Sequence, residues 1–200
     1  MKLKKLPLIG AMIVAFSAVA DGAAAANPQV SIKTSMGEIV VELYPDKAPK
    51  SVENFLQYVR DDHYKGTIFH RVIGNFMIQG GGFSADFYKP GTPNYGQKPT
   101  RAPIPIESKN GLRNDAGWIA MARTSDPNSA TAQFFINTVD NAGLNHPQPD
   151  GHGYAVFGKV VKGMDVVEAI RAVPTKTMGP FRDVPATPVT IDSVSVVGGK

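Results

Sequence analysis

Apolar positions recur at two distinct periods along this chain. Val30, Ile32 and Thr34 alternate with polar neighbours, and after a Ser35-Met36-Gly37 break Ile39, Val41 and Leu43 alternate again, which predicts a β-hairpin. Past Pro49, a residue suited to a first helical turn, Val52, Phe55, Leu56 and Val59 fall at i, i+3, i+4 and i+7 and predict an amphipathic helix. A second helix is predicted over Met164–Ala172, packing through Val166, Val167 and Ile170 and ending before Pro174. The other ordered stretches read as strands: Thr67–Ile73, Phe76–Gln79, Trp118–Ala122, Gln133–Asn137, Ala155–Val161 and Val189–Val197.

Eight short strands with only two helices argue against a doubly wound parallel sheet, in which helices would alternate with strands. The expected fold is mainly β: a closed eight-stranded antiparallel barrel capped by two α-helices, since closure removes exposed strand edges. No internal repeat or second domain is legible. Ser84–Asn110 reads as a long loop broken by Pro90, Pro93, Pro99, Pro103 and Pro105, and loops of that length are usually functional or mobile.

The start of the chain follows a different logic. Lys2, Lys4 and Lys5 precede a nearly continuous apolar run from Leu6 to Ala18, and small residues continue to Ala26. This is the pattern of a secretory signal peptide over residues 1–26, cleaved after Ala24-Ala25-Ala26, with Ala18-Val19-Ala20 as a second candidate. The run is shorter than the ~20 residues a membrane span needs. The expected location is the bacterial periplasm, with no membrane attachment after cleavage. Without residues 1–26 the chain retains 18 basic and 16 acidic side chains, a formal +2, and no basic run survives to bind nucleic acid. With no cysteine there is neither a disulfide nor a thiol nucleophile.

The candidate chemistry lies in three clusters. The first is Phe69-His70-Arg71-Val72-Ile73-Gly74-Asn75-Phe76-Met77-Ile78-Gln79-Gly80-Gly81-Gly82-Phe83, two strands around a Gly74-Asn75 pair that predicts a two-residue type II′ turn with glycine at positive φ. Period two places Phe69, Arg71 and Ile73 on one side of the first strand and His70 and Val72 on the other. The second cluster is Gly117-Trp118-Ile119-Ala120-Met121-Ala122-Arg123 with Ala132-Gln133-Phe134-Phe135-Ile136-Asn137. The third is Asn141-Ala142-Gly143-Leu144 with Gly153-Tyr154-Ala155-Val156-Phe157-Gly158.

In this order the three clusters resemble the cyclophilins, the cyclosporin-sensitive peptidyl-prolyl cis–trans isomerases, and most closely their exported bacterial members. The resemblance spans nearly all of Val30–Val197 and implies the same eight-stranded, two-helix barrel. It implies Arg71 as the catalytic residue, and Phe76, Met77, Phe135 and Leu144 as the wall around a substrate proline ring. Gln79, Ala122, Arg123 and Gln133 would hold the peptide backbone, with His70 and Tyr154 at the rim. Proline-containing peptides and folding exported chains are the implied partners; bond rotation requires no metal or cofactor, and with no heptad or unexplained apolar stripe in the sequence a monomer is expected. Two departures stand out. Tyr154 replaces the histidine of many cytosolic members, and Gly143 stands where those members carry a large aromatic that contributes to cyclosporin binding, so weak cyclosporin binding is expected.

These residue types suit amide rotation. The peptide bond resists twisting by ~18–20 kcal/mol because nitrogen shares its lone pair with the carbonyl. A guanidinium donating to that nitrogen stabilises the twisted form more than either planar form. Arginine offers a rigid donor fork and no accessible neutral form. A non-catalytic peptide-binding module using the same groove is the competing reading. A hydrolase is disfavoured because no Ser/His/Asp set or Gly-x-Ser-x-Gly is legible, and His63, His70, His146 and His152 lack metal-ligand spacing.

Overall fold

A computed structural model describes residues 26–198; apart from Ala26, the segment read as a leader lies outside them. In chain order the elements are β1 (Gln29–Thr34), β2 (Gly37–Leu43), α1 (Pro49–Arg60), β3 (Thr67–Ile73), β4 (Met77–Ser84), β5 (Trp118–Met121), β6 (Phe134–Asn137), β7 (Val156–Lys162), α2 (Met164–Arg171), β8 (Thr175–Met178), β9 (Phe181–Pro185) and β10 (Thr190–Val196). Eight strands close into a barrel in the order β1-β10-β3-β4-β6-β5-β7-β2, every pairing antiparallel. Both helices feed the same interior. Val52, Phe55 and Val59 of α1 and Val167 and Ile170 of α2 join Ile32, Ile39, Phe69, Phe134, Ile136 and Phe157 in one buried cluster. The Phe55 ring lies 5.1 Å from Tyr64 and 5.7 Å from Phe134 between centroids, the latter pair edge to face. Such pairs add to the stabilisation from buried area.

The sequence pattern missed one hairpin. β8 and β9 form a separate two-stranded sheet that carries Phe181 and Val184 against Phe83 and Phe87 outside the barrel. β8 is mostly exposed, so selection for burial left no clear alternation to read.

The long loop is also tied down more than its prolines suggest. Its Glu107 accepts hydrogen bonds from the N–H groups of Lys50 (3.0 Å) and Ser51 (2.8 Å) and from the Ser51 hydroxyl (2.7 Å). The residue before α1, Ala48, supplies no side-chain cap, so a carboxylate more than fifty residues away satisfies the free donors of the first turn. Replacing Glu107 by alanine should cost about 1–2 kcal/mol of stability, the usual worth of an N-cap. Urea unfolding would show this; an unchanged midpoint would mean that water caps the helix equally well.

Two details of the β3–β4 hairpin depart from the expected geometry. First, Ile73 pairs with Met77, so Gly74, Asn75 and Phe76 all lie in the turn, and the Phe76 N–H donates to the Ile73 carbonyl at 2.9 Å. Gly74 does not adopt positive φ. Glycine is needed there for space, because a Cβ would sit 2.9 Å from the carbonyl oxygen of Arg171. Second, Phe69 pairs with Gly80 and Arg71 with Gln79, so His70 is an extra residue, a β-bulge. The bulge breaks strict alternation: Phe69 and Val72 both enter the barrel core, whereas Arg71 turns away from it.

Candidate active site

Along β4, β5, β6 and the start of β7 the side chains that do not enter the barrel build a second apolar cluster on its outer face. Met77, Ala120, Phe135 and Val156 are buried there, backed by Ile73, Phe76, Leu112, Trp118, Ala122, Leu144 and Tyr154. Arg71, Phe76, Met77, Gln79, Ala122, Arg123, Phe135, Leu144 and Tyr154 line a small niche of about 90 Å³ in this surface. Nine of the eleven residues expected at the site therefore converge on one concavity. A larger hollow, of about 430 Å³, lies between Lys47, Glu107, Lys109, His146 and His152, but it lacks the aromatic wall.

The polar groups of the niche differ in how firmly they are engaged. Gln79 Nε2 donates to Gln133 Oε1 at 2.9 Å, so Gln133, although behind the niche lining, orients the Gln79 amide. Gly82 makes that arrangement possible: a Cβ there would lie 2.6 Å from the Gln133 side chain. Gly82, inside β4, is thus a close-packing device for the second glutamine.

Arg123 is the most committed side chain. Its Nε and Nη2 donate to the Gly153 carbonyl at 3.0 and 2.8 Å, its Nη1 to the Thr124 carbonyl at 2.9 Å, and its Nη2 also to Asp150 at 2.7 Å. Its guanidinium lies 4.4 Å from the Tyr154 ring centroid, a cation–π contact. The Arg123 hydrogen bond in turn holds the Asp150 carboxyl below the usual carboxylate range. With its side chain only 3% exposed, Arg123 works chiefly as a clamp on the Tyr154 loop.

Arg71 contrasts with it. Half-buried at the niche edge, its side chain has no hydrogen bond or ion pair among the described residues. An arginine fork on an apolar wall with no protein acceptor leaves its donors available to a ligand.

The structure sets His70 apart. It is 5% exposed, does not line the niche, and packs against Phe83 with ring centroids 4.7 Å apart. Its Nδ1 is buried without a partner. Burial, reinforced by the Arg71 cation, pushes its pKa down to about 4, so the ring is neutral at ordinary pH. The bulge that releases Arg71 from the core leaves His70 packed on Phe83 of β4, which strand periodicity could not reveal.

Sequence reasoning also missed the carbonyl tethers of the wall. Asn141 Nδ2 donates to the Phe76 carbonyl at 2.8 Å, and Asn114 Nδ2 to that of Leu144 at 3.2 Å. The available signal was Asn137, a polar residue closing the apolar run Phe134-Phe135-Ile136, with every residue of that strand buried.

Comparison with known proteins accounts for this geometry. The sequence pattern of the family described as cyclophilin type peptidyl-prolyl cis-trans isomerase/CLD matches residues 29–196. The chain is 58% identical to the peptidyl-prolyl cis-trans isomerase cyp18 of Streptomyces antibioticus, over 84% of this chain and 98% of the relative. It is 52% identical to peptidyl-prolyl cis-trans isomerase B of Escherichia coli, over 84% of this chain and 98% of the relative. A crystal structure of a Cryptosporidium parvum cyclophilin type isomerase superposes with a TM-score of 0.70 at 28% identity, covering 87% of this chain and 99% of that one. The same protein crystallised in the presence of the dipeptide Ala-Pro gives 0.68 at 28% identity, over 86% and 99% of the two chains. With the barrel, the niche and the ordered motifs all in agreement, the chain belongs to the cyclophilin-type peptidyl-prolyl cis-trans isomerases.

Proposed function

We propose that this chain, as a monomer in the periplasm, accelerates rotation of X-Pro bonds in exported proteins as they fold, with Arg71 as its catalytic residue. The observation that carries this reading is a guanidinium without a partner among the described residues, set at the mouth of a niche walled by Phe76, Met77, Phe135 and Leu144. In the reaction the proline ring enters the niche and the Arg71 fork donates to the proline nitrogen as its lone pair localises. The apolar wall dries the amide, and a desolvated carbonyl favours the less charge-separated twisted form. Gln79, held by Gln133, grips the backbone on one side while the other side turns. No bond is made or broken. Uncatalysed exchange takes tens to hundreds of seconds, so NMR exchange on an Ala-Pro peptide tests the proposal directly. Acceleration by the mature chain is expected; binding of the peptide without acceleration would leave a non-catalytic binding module. Mass spectrometry of the periplasmic fraction should find a mature chain beginning at Asn27, and an uncleaved cytosolic chain would overturn the export assignment.

Cyclosporin should bind weakly, because Gly143 leaves open the space that an aromatic would fill. A Cβ at Gly143 meets nothing within 4 Å and its φ is not left-handed, so the backbone tolerates a large residue. Gly143→Trp should tighten cyclosporin binding about tenfold or more through added aromatic contact. Titration calorimetry measures this, and nanomolar inhibition of the unmodified chain would contradict the idea.

A further inference from the structure

Half of the niche is carried by the barrel and half is not. Arg71, Met77, Gln79 and Phe135 sit on β3, β4 and β6, where the hydrogen-bond ladder fixes their places. Phe76, Leu144 and Tyr154 lie outside the strands: Phe76 in the β3–β4 turn, Leu144 in a short 3₁₀ turn at Ala142–Leu144, and Tyr154 in the segment before β7. Something other than the sheet must hold this second half in register with the first.

We propose that Asn114, Asn137 and Asn141 are positioning residues that lock the loop-borne wall of the niche onto strand β6 and so set the affinity for the proline ring. This rests on the isomerase reading above. The three amides are linked head to tail. Asn141 Nδ2 donates to the Phe76 carbonyl at 2.8 Å and to Asn137 Oδ1 at 2.7 Å. Asn137 Nδ2 donates to the Trp118 carbonyl at 3.1 Å and to Asn114 Oδ1 at 3.3 Å. Asn114 Nδ2 reaches the Leu144 carbonyl at 3.2 Å, Asn145 Oδ1 at 3.2 Å and the Tyr154 carbonyl at 3.4 Å. Asn114 and Asn137 are 0% exposed, so neither can exchange these partners for water.

The choice of acceptors separates positioning from plain loop capping. The chain of amides ends on the carbonyls of Phe76, Leu144 and Tyr154, three of the four loop-borne aromatic or apolar residues of the niche; the fourth, Ala122, directly follows β5. Its middle member is the last residue of β6, two positions after Phe135. Main-chain bonds reinforce the link: the Asn141 N–H donates to the Asn114 carbonyl at 2.8 Å, the Gly117 N–H to the Asn137 carbonyl at 2.8 Å, and the Thr138 N–H to the Phe76 carbonyl at 3.1 Å. Linked amides polarise one another, so the chain is stiffer than its separate bonds. Dispersion contacts with a ring fall by a quarter to a half when a gap of about 0.5–1 Å opens, so small wall shifts weaken ring binding sharply. Arg71 stands on β3, outside the chain of amides, and its chemistry on bound substrate should survive such shifts.

The test compares Asn141→Ala and Asn114→Ala with the unmodified mature chain, and uses Tyr88→Phe as a remote control. Tyr88 donates to the Pro185 carbonyl at 2.7 Å in the satellite hairpin and has no part in the niche. For each protein, kcat and KM for Ala-Pro isomerisation are measured, with the peptide Kd from NMR titration, at a temperature where circular dichroism shows full folding. Both asparagine variants should raise KM and Kd about tenfold while kcat stays within about twofold. Tyr88→Phe should lower the unfolding temperature and leave KM unchanged. Unchanged KM and Kd in Asn141→Ala would overturn the positioning role, whatever happens to stability. Asn141 is only half-buried, so that variant decides the matter even if Asn114→Ala fails to fold. If the unmodified chain binds peptide but accelerates nothing, the isomerase reading falls, and the Kd comparison still decides the role of the asparagines.

Discussion

Arg71→Ala should lower kcat/KM for an Ala-Pro peptide by about ten- to a hundredfold while the protein stays folded. The range follows from one charge-assisted hydrogen bond, ~1.5–3 kcal/mol, at ~1.36 kcal/mol per decade of rate. Stability should change little, because the Arg71 side chain has no hydrogen bond or ion pair among the described residues that the substitution would break. Arg71→Lys should fall between the two, since an ammonium keeps the charge and loses the planar fork. The loss should appear mainly in kcat, because in the proposed mechanism the bond to the proline nitrogen strengthens only as the amide twists. Equal kcat in the unmodified and alanine proteins would remove Arg71 from the mechanism. The residual activity matters as well: what remains measures the apolar niche, which supplies ring anchoring and drying without any charge.

The second large effect concerns stability and pH. His70 is buried with a pKa of about 4 in the folded chain, against an ordinary value of 6.5. Between those values the unfolded chain binds a proton at this ring that the folded chain does not. Stability therefore rises with pH through this window, is complete above about 6.5 and is lost toward about 4. At ~1.36 kcal/mol per unit, the window amounts to about 3 kcal/mol, a large share of the 5–15 kcal/mol of a typical domain. Burial also lowers the pKa of His63, with Lys98 adding to the shift, and this contributes in the same direction. Urea unfolding of the unmodified chain and of His70→Gln, at neutral pH and again near pH 4.5, separates the two. The loss on acidification should shrink in the variant. Identical losses would mean that His70 is not the proton-linked group, and an imidazole resonance titrating near 6.5 would show the same independently.

How much of this was legible differs from residue to residue. The β1–β2 alternation, the α1 stripe of Val52, Phe55 and Val59 and the presence of the eight barrel strands were readable because burial on one face leaves a periodic trace in composition. The niche was readable only through its ordered motifs: Phe76, Met77 and Phe135 alone are indistinguishable from core residues. His70 could not be placed, since a one-residue bulge reverses the face of everything beyond it without changing the composition. The role of Arg123 was masked in a similar way. Its type announces a cation, but only the neighbouring Gly153 carbonyl and Asp150 show where its donors go.

The sequence by itself determined the barrel class, both helices and the set of side chains from which the niche is made, because each depends on local periodicity or on residue types held in a fixed order. Tertiary structure alone decided that Glu107 caps α1, that the β8–β9 hairpin packs on Phe83 while His70 packs on the same ring, and that Asn114, Asn137 and Asn141 reach the carbonyls of the niche wall. The physical reason is the range of the interaction. A hydrogen bond between residues such as Asn141 and Phe76, 65 positions apart, or between Ser51 and Glu107, 56 apart, has no period and no local propensity, and exists only once closure of the barrel brings the two segments together.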